Sequence, residues 1–102
     1  GPTRRLLQKV QPRGSGPAAE VRSRGWFRID FVGRGGGREV RTHVSGGDPG
    51  YDETAKMISE AAITALEDRD RLPLRGVLTP AAALGQPLID RLVAAGMQFV
   101  VD

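Results

Sequence analysis

The segment Ser45-Gly46-Gly47-Asp48-Pro49-Gly50-Tyr51 concentrates the groups of this chain that could do chemistry. Its three glycines let the main chain approach a ligand or a second domain closely. Asp48 followed by Pro49 fits a helix cap with proline at the first helical position. A helix start there would present unpaired N–H groups to an anion. Tyr51 is the lone tyrosine, and its hydroxyl could donate a proton into a cleft. The same residues also suffice for an ordinary capped strand-to-helix turn with Tyr51 packed at the helix start. A second set of polar groups is Arg28 and Arg41, anion-binding candidates that share one strand face, with Arg34 and Arg38 nearby.

Other chemistries are closed. There is no cysteine and one histidine, His43, so a disulfide scaffold, a thiol nucleophile and a His-pair metal site are excluded, and no metal site is expected. Gly35-Gly36-Gly37 lacks the Lys-Ser/Thr of a phosphate loop and sits between two strand patterns. No dinucleotide fingerprint occurs anywhere, so the chain alone is expected to bind no cofactor.

The elements that must position these residues are legible. Residues 26–32 and 39–45 alternate, with Phe27, Ile29 and Phe31 on one side and Val40, Thr42 and Val44 likewise. The glycines between them predict a tight hairpin. A turn centred on Gly35-Gly36 pairs Phe27 with Val44, Ile29 with Thr42 and Phe31 with Val40. On the other face it sets Arg28 opposite His43 and Asp30 opposite Arg41, the latter as a salt bridge. Tyr51, Ala55, Ile58, Ala62 and Ala65 then follow a helical period that predicts a helix ending near Asp68, with this row, widened by Met57, Ala61 and Leu66, inward and Asp52, Glu53, Lys56, Glu60 and Glu67 outward. Thr79-Pro80 starts a short turn through Leu84. Gly85 and Pro87 interrupt it, and a second helix around Leu88–Ala95 is closed by Gly96. Met97–Val101 has strand character. The expected fold is α+β: hairpin, helix, helix and strand, with both helices on one face of a small mixed sheet. So thin a layer suggests part of a larger α/β substrate domain.

The chain has 102 residues, 39% hydrophobic and 26% charged, one domain in size. Residues 25–102 are expected to form it. Residues 1–24 read as a flexible basic tail, with a helical turn over Arg4–Val10, a Pro/Gly linker over Gln11–Ala18 and a short helix over Ala18–Arg24. The net charge of +3 divides: residues 1–45 carry ten basic against three acidic residues, a balance of +7, and residues 46–102 carry five against nine, a balance of −4. Thirteen of the fifteen cations are arginine, a bias that gene composition alone produces. Nucleic-acid binding ranks last, because stacking aromatics and a basic recognition helix are lacking. No apolar run reaches the roughly 20 residues of a membrane span, and a cytoplasmic setting is expected.

Three stretches carry a family resemblance. These are Gly25-Trp26-Phe27-Arg28-Ile29-Asp30-Phe31-Val32-Gly33, then Val44 through Met57 with its SGGDPGY and ETAKM motifs, and Gly76–Gly85 with Leu88–Gly96. The chain resembles the carboxy-terminal region of saccharopine dehydrogenase-like proteins, nearest the trans-acting enoyl reductases of polyketide-lipid biosynthesis. The resemblance implies an NAD(P)H-dependent oxidoreductase whose amino-terminal Rossmann domain is missing here. It implies a substrate or interdomain portion that is not catalytic alone, and it assigns no catalytic residue. Ser45, Gly46, Gly47, Asp48, Tyr51 and Lys56 are its motif positions, expected to line substrate or the domain interface. Implied partners are the missing Rossmann domain or another protein chain, and a lipid substrate carried on an acyl-carrier protein. The competing expectation is a non-catalytic interaction or oligomerisation module using the Trp26 face or the third-strand edge.

Overall fold

The computed structural model describes residue 14 and residues 16–102. The expected turn over Arg4–Val10 and part of the Gln11–Ala18 linker lie outside them. The elements are α1 (Ala19–Arg22), β1 (Phe27–Gly35), β2 (Arg38–Gly46), α2 (Asp52–Glu67), a 3-10 turn (Arg69–Arg71), α3 (Pro80–Ala94) and β3 (Gln98–Val101). The strands form one sheet in the order β1-β2-β3. The fold is the expected small α+β layer. Its sheet is antiparallel in both pairings rather than mixed, because the 51 residues between β2 and β3 bring the chain back to the same end of the sheet, where Gln98 starts β3 opposite Ser45.

The hairpin forms two residues out of the expected register. Its turn is Gly36-Gly37, and the partners are Phe27 with Gly46, Ile29 with Val44, Phe31 with Thr42 and Gly33 with Val40. Gly36 and Gly37 take φ of 56° and 76°, the two positive values that a two-residue hairpin turn with the right twist requires. Apolar pairing could not distinguish this from Gly35-Gly36, since a two-residue shift keeps every side chain on its face. The shift removes the expected Asp30–Arg41 pair. Asp30 now stands opposite His43, and Arg41 opposite Val32.

Helices α2 and α3 cover the Phe27 face near β3 and the Gly46 end of β2. The register places Phe27, Ile29, Phe31, Val40, Val44, Phe99 and Val101 on that face. Gln86 and Ile89 of α3 stand over Val44 and Phe99. The apolar core is small: Leu84, Leu92 and Met97 are its buried members. Helix α3 is two helical segments meeting at Gly85, whose φ of 47° and ψ of −135° are non-helical, so the expected interruption there is present. Pro80 occupies its first turn. The Met97 N–H closes its end on the Leu92 carbonyl, with Gly96 at φ 101°.

Helix α2 ends where expected, at Glu67 before Asp68, and has a different inner face. Glu53 and Thr64 are buried and Lys56, Glu60 and Ala61 half-buried, whereas Ala55, Ile58, Ala62 and Ala65 are exposed. Ala61 is inward as the apolar period predicts, and for Glu53, Lys56, Glu60 and the four exposed residues the period predicts the opposite. Toward α3, Thr54, Met57, Ile58 and Ala61 line one apolar hollow with Pro80, Leu88 and Leu92, and Thr64 is fully buried. The Thr64 hydroxyl is satisfied within its own helix by the Glu60 carbonyl at 2.6 Å, so it can be buried without another partner.

Candidate functional site

Ser45 through Lys56 meet where β2 passes into α2, and there they mainly satisfy one another. Asp48 accepts hydrogen bonds from the backbone N–H of Tyr51 at 2.8 Å and Asp52 at 3.1 Å. Those of Asp52 and Tyr51, in that order, hold its carboxyl below the usual 3.8. The N-cap position is Tyr51 and not the expected Asp48, and Asp48 instead ties down the turn through Pro49-Gly50 that leads into the helix. The helix begins at Asp52 and not at Pro49. Further N–H groups at the helix start are already bonded: Glu53 N–H reaches the Asp48 carbonyl at 2.8 Å and Ala55 N–H that of Tyr51 at 2.8 Å.

The close approach permitted by the glycines is made by the chain's own helix. A Cβ on Gly46 would lie 2.9 Å from the Phe27 ring and 3.0 Å from Glu53 Oε2. One on Gly47 would lie 3.2 Å from Glu53 Oε1. The Glu53 side chain is 7% exposed and bonds Lys56 Nζ through Oε1 at 2.8 Å. Its Oε2 is buried with no partner among the described residues. Lys56 is therefore the counter-ion of a buried carboxylate. Sequence reasoning had placed Glu53 on the solvated face of α2, and only the two adjacent glycines seven and six residues earlier hinted that something must lie beneath the strand end.

The other candidates are dispersed. Ser45 donates to Gln98 Oε1 on β3 at 3.1 Å. Tyr51 is exposed, with one side of its ring against Gly16. Arg22 of α1 bonds Asp52 at 2.9 Å and the Pro17 carbonyl at 2.8 Å, so residues 16–22 lie across the start of α2.

Arg28 and Arg41 share the face opposite the helices, four positions apart along the hairpin, and each holds a carboxylate. Arg28 binds both Asp30 oxygens, with the shortest contact 2.8 Å. That bond and the Asp30 charge push the Arg28 pKa up, and the Arg28 bond holds Asp30 down. Arg41 donates to Glu39 Oε1 at 2.8 Å. Beside Arg28, His43 Nδ1 lies 3.0 Å from Asp102 Oδ1, and Asp30, His43 and Asp102 bring ligand-type atoms within 4.8 Å of one another. Arg28 is the cation seated there, which makes the group a charge network across all three strands. Trp26 is exposed on the same face. It borders a cleft with Arg28, Ser45, Gly46, Gly47 and Gln98.

These features define a class: an α+β layer with an open three-stranded sheet, whose distinctive motif builds a buried carboxylate under a strand end. Over that layer the chain is similar to proteins of known name. A Mycobacterium tuberculosis protein named provisionally as a trans-acting enoyl reductase is 43% identical over 100 residues, 94% of this chain and 24% of that protein. The trans-acting enoyl reductase of Mycobacterium leprae is 39% identical over 98 residues, 92% of this chain and 23% of that protein. The Mycobacterium bovis protein of that name is 37% identical over 97 residues. The chain spans about a quarter of the length of the relatives it matches. No family model and no solved structure matches it. No helix among the described residues is long and apolar enough to cross a membrane.

Proposed function

We propose that the chain is the carboxy-terminal, substrate-side or interdomain portion of an NAD(P)H-dependent, saccharopine dehydrogenase-like enoyl reductase. In this reading it acts in the cytoplasm on lipid intermediates held by an acyl-carrier protein and is not catalytic by itself. One observation carries the proposal: 43% identity across 94% of this chain against 24% of a trans-acting enoyl reductase relative. The open sheet and the small apolar core, three buried residues among those described, fit a layer that gains its remaining cover from a longer polypeptide.

The nicotinamide is assigned to the missing portion for a local reason. A dinucleotide site needs a glycine-rich turn from strand into helix with room for the pyrophosphate. Gly36 and Gly37 instead turn strand into strand. Gly46 and Gly47 do precede a helix, but the Glu53 carboxylate lies in their cradle, and its charge would repel a phosphate. The residues present do not fit the cofactor, and no hydride step runs through them.

The test is an NADPH-oxidation assay on an enoyl thioester, together with NADPH-fluorescence titration. The isolated chain should do neither. Joining it to the three-quarters of the M. tuberculosis relative that it does not match should restore both. Reduction by the 102 residues alone at a rate comparable to the joined protein would overturn the proposal.

A further inference from the structure

The helices leave part of their own sheet face uncovered. Ile29 is 51% exposed, Phe31 50%, Val40 52% and Val101 74%, and the register puts all four on the helix-covered face. The row runs from Ile29, beside Val44 at the border of the helical cover, through Phe31 to Val40 toward the hairpin tip, and Val101 shares a hollow with Gln86 and Ile89 of α3. The radius of gyration is 18.2 Å, against about 13 Å for a compact domain of about 100 residues. Among the described residues β1 is moreover an edge strand of nine residues, paired only to β2, with its other row of backbone N–H and C=O groups on the open side. A long, apolar-faced edge is a hazard in a soluble protein unless something covers or pairs it.

We infer that the tip-side face of the β1–β2 hairpin, centred on Ile29, Phe31 and Val40, is the joint that seats the remainder of the reductase. Its occupant is an apolar helix face or strand from the three-quarters of the polypeptide that this chain does not match. The inference rests on the proposed function and adds the place of contact. Length and surface agree on the occupant: the relatives are about four times as long as the stretch matched, and the half-exposed row continues the face already packed in this chain. An apolar helix laid there would extend the α2–α3 layer to the hairpin tip, and a strand would continue the sheet past β1.

The experiment supplies the unmatched three-quarters of the M. tuberculosis relative as a separate polypeptide. It reads binding by calorimetry and amide hydrogen exchange along the 102-residue chain. Binding should protect amides of residues 27–33 and 38–42. Phe31→Asp should weaken binding roughly tenfold or more, as at a central contact. Val77→Asp, in an exposed loop, should leave it unchanged, and circular dichroism of both variants reports folding. If Phe31→Asp does not fold, Val40→Thr serves in its place. Binding that protects α2 or the Trp26 cleft instead, or that Ile58→Asp abolishes and Phe31→Asp does not, overturns this inference and leaves the proposed function standing. Absence of any binding by the folded wild-type chain overturns the proposed function itself. Concentration-dependent dimerisation lost in Phe31→Asp, or hairpin protection in the chain alone that is lost on removing residues 1–13, assigns the face to a second copy or to the chain's own start and also overturns the inference.

Discussion

Glu53 sends its carboxylate beneath Gly46, with Oε2 only 3.0 Å from where a side chain at position 46 would begin. The two residues explain each other. The strand can end over a buried carboxylate only because it has no Cβ there, and the carboxylate is kept from water by that strand end. Gly46→Ala would force its methyl against Phe27 at 2.9 Å as well. It should destabilise the chain by about 1–3 kcal/mol, the usual cost of overpacking. Gly47→Ala, with one contact at 3.2 Å, should cost less. Urea unfolding of the two variants beside wild type checks the order.

The pair between Glu53 and Lys56 is lopsided, the carboxylate side chain 7% exposed and the ammonium side chain 29%. Removing the cation leaves a buried charge without its partner. Lys56→Met should therefore cost about 3–5 kcal/mol, the range for breaking buried ion pairs. Replacing both residues at once, as Glu53→Leu with Lys56→Met, should recover much of that loss, since neither charge then needs solvation. A double-mutant cycle by denaturant unfolding reads the coupling directly. A double variant as unstable as Lys56→Met alone would show that packing and not charge governs the site.

What could be read in advance followed the range of the interactions. Strand alternation and the Gly85 break are local, and each stands in the structure; Asp48 does bond the N–H groups at the helix start, though from three residues ahead of the N-cap, Tyr51. The hairpin register slipped because Gly35, Gly36 and Gly37 offer several turns that preserve the same faces. The orientation of α2 was misread for a different reason. Its Tyr51–Ala65 row is apolar at helical spacing, yet the inner face contains Glu53 and Lys56, whose burial depends on Gly46 and Gly47 from another element. Glu53 carries no local mark of burial. The clamp of Arg91 on Glu67 at 2.8 Å and Asp68 at 3.0 Å spans 23–24 residues and was equally out of reach of pattern reading.

The turn itself is a test of register. Gly36 and Gly37 both hold positive φ, which an alanine adopts at a cost of roughly 1–2 kcal/mol. Gly37→Ala should lower stability by that amount, while Gly36→Asn, giving the Asn-Gly sequence that such turns favour, should be close to neutral. Gly35→Ala lies on the strand side of the turn with open space around its Cα and should be tolerated. Were the turn centred on Gly35-Gly36 instead, Gly35→Ala would be among the costly changes, so thermal unfolding of the three variants separates the registers.

Asp48 gives the chain a specific acid sensitivity. Its native pKa lies below 3.8 because the N–H groups of Asp52 and Tyr51 bond the ionised carboxylate. In the unfolded chain those bonds are gone and the group takes up its proton at higher pH. Stability therefore rises with pH between the two values: the contribution is complete above the unfolded pKa and disappears as pH falls through the depressed native one. Asp48→Asn keeps a side-chain oxygen to accept from the same N–H groups but does not titrate, and Asp48→Ala removes the acceptor altogether. Both variants should be less stable than wild type at neutral pH, Ala more so than Asn. The gap between wild type and Asn should be constant above ~pH 5 and shrink steadily at lower pH. Denaturant midpoints measured from pH 7 to pH 3 decide it, and a gap that stayed constant throughout would mean that Asp48 holds the start of α2 through shape and not through its charge.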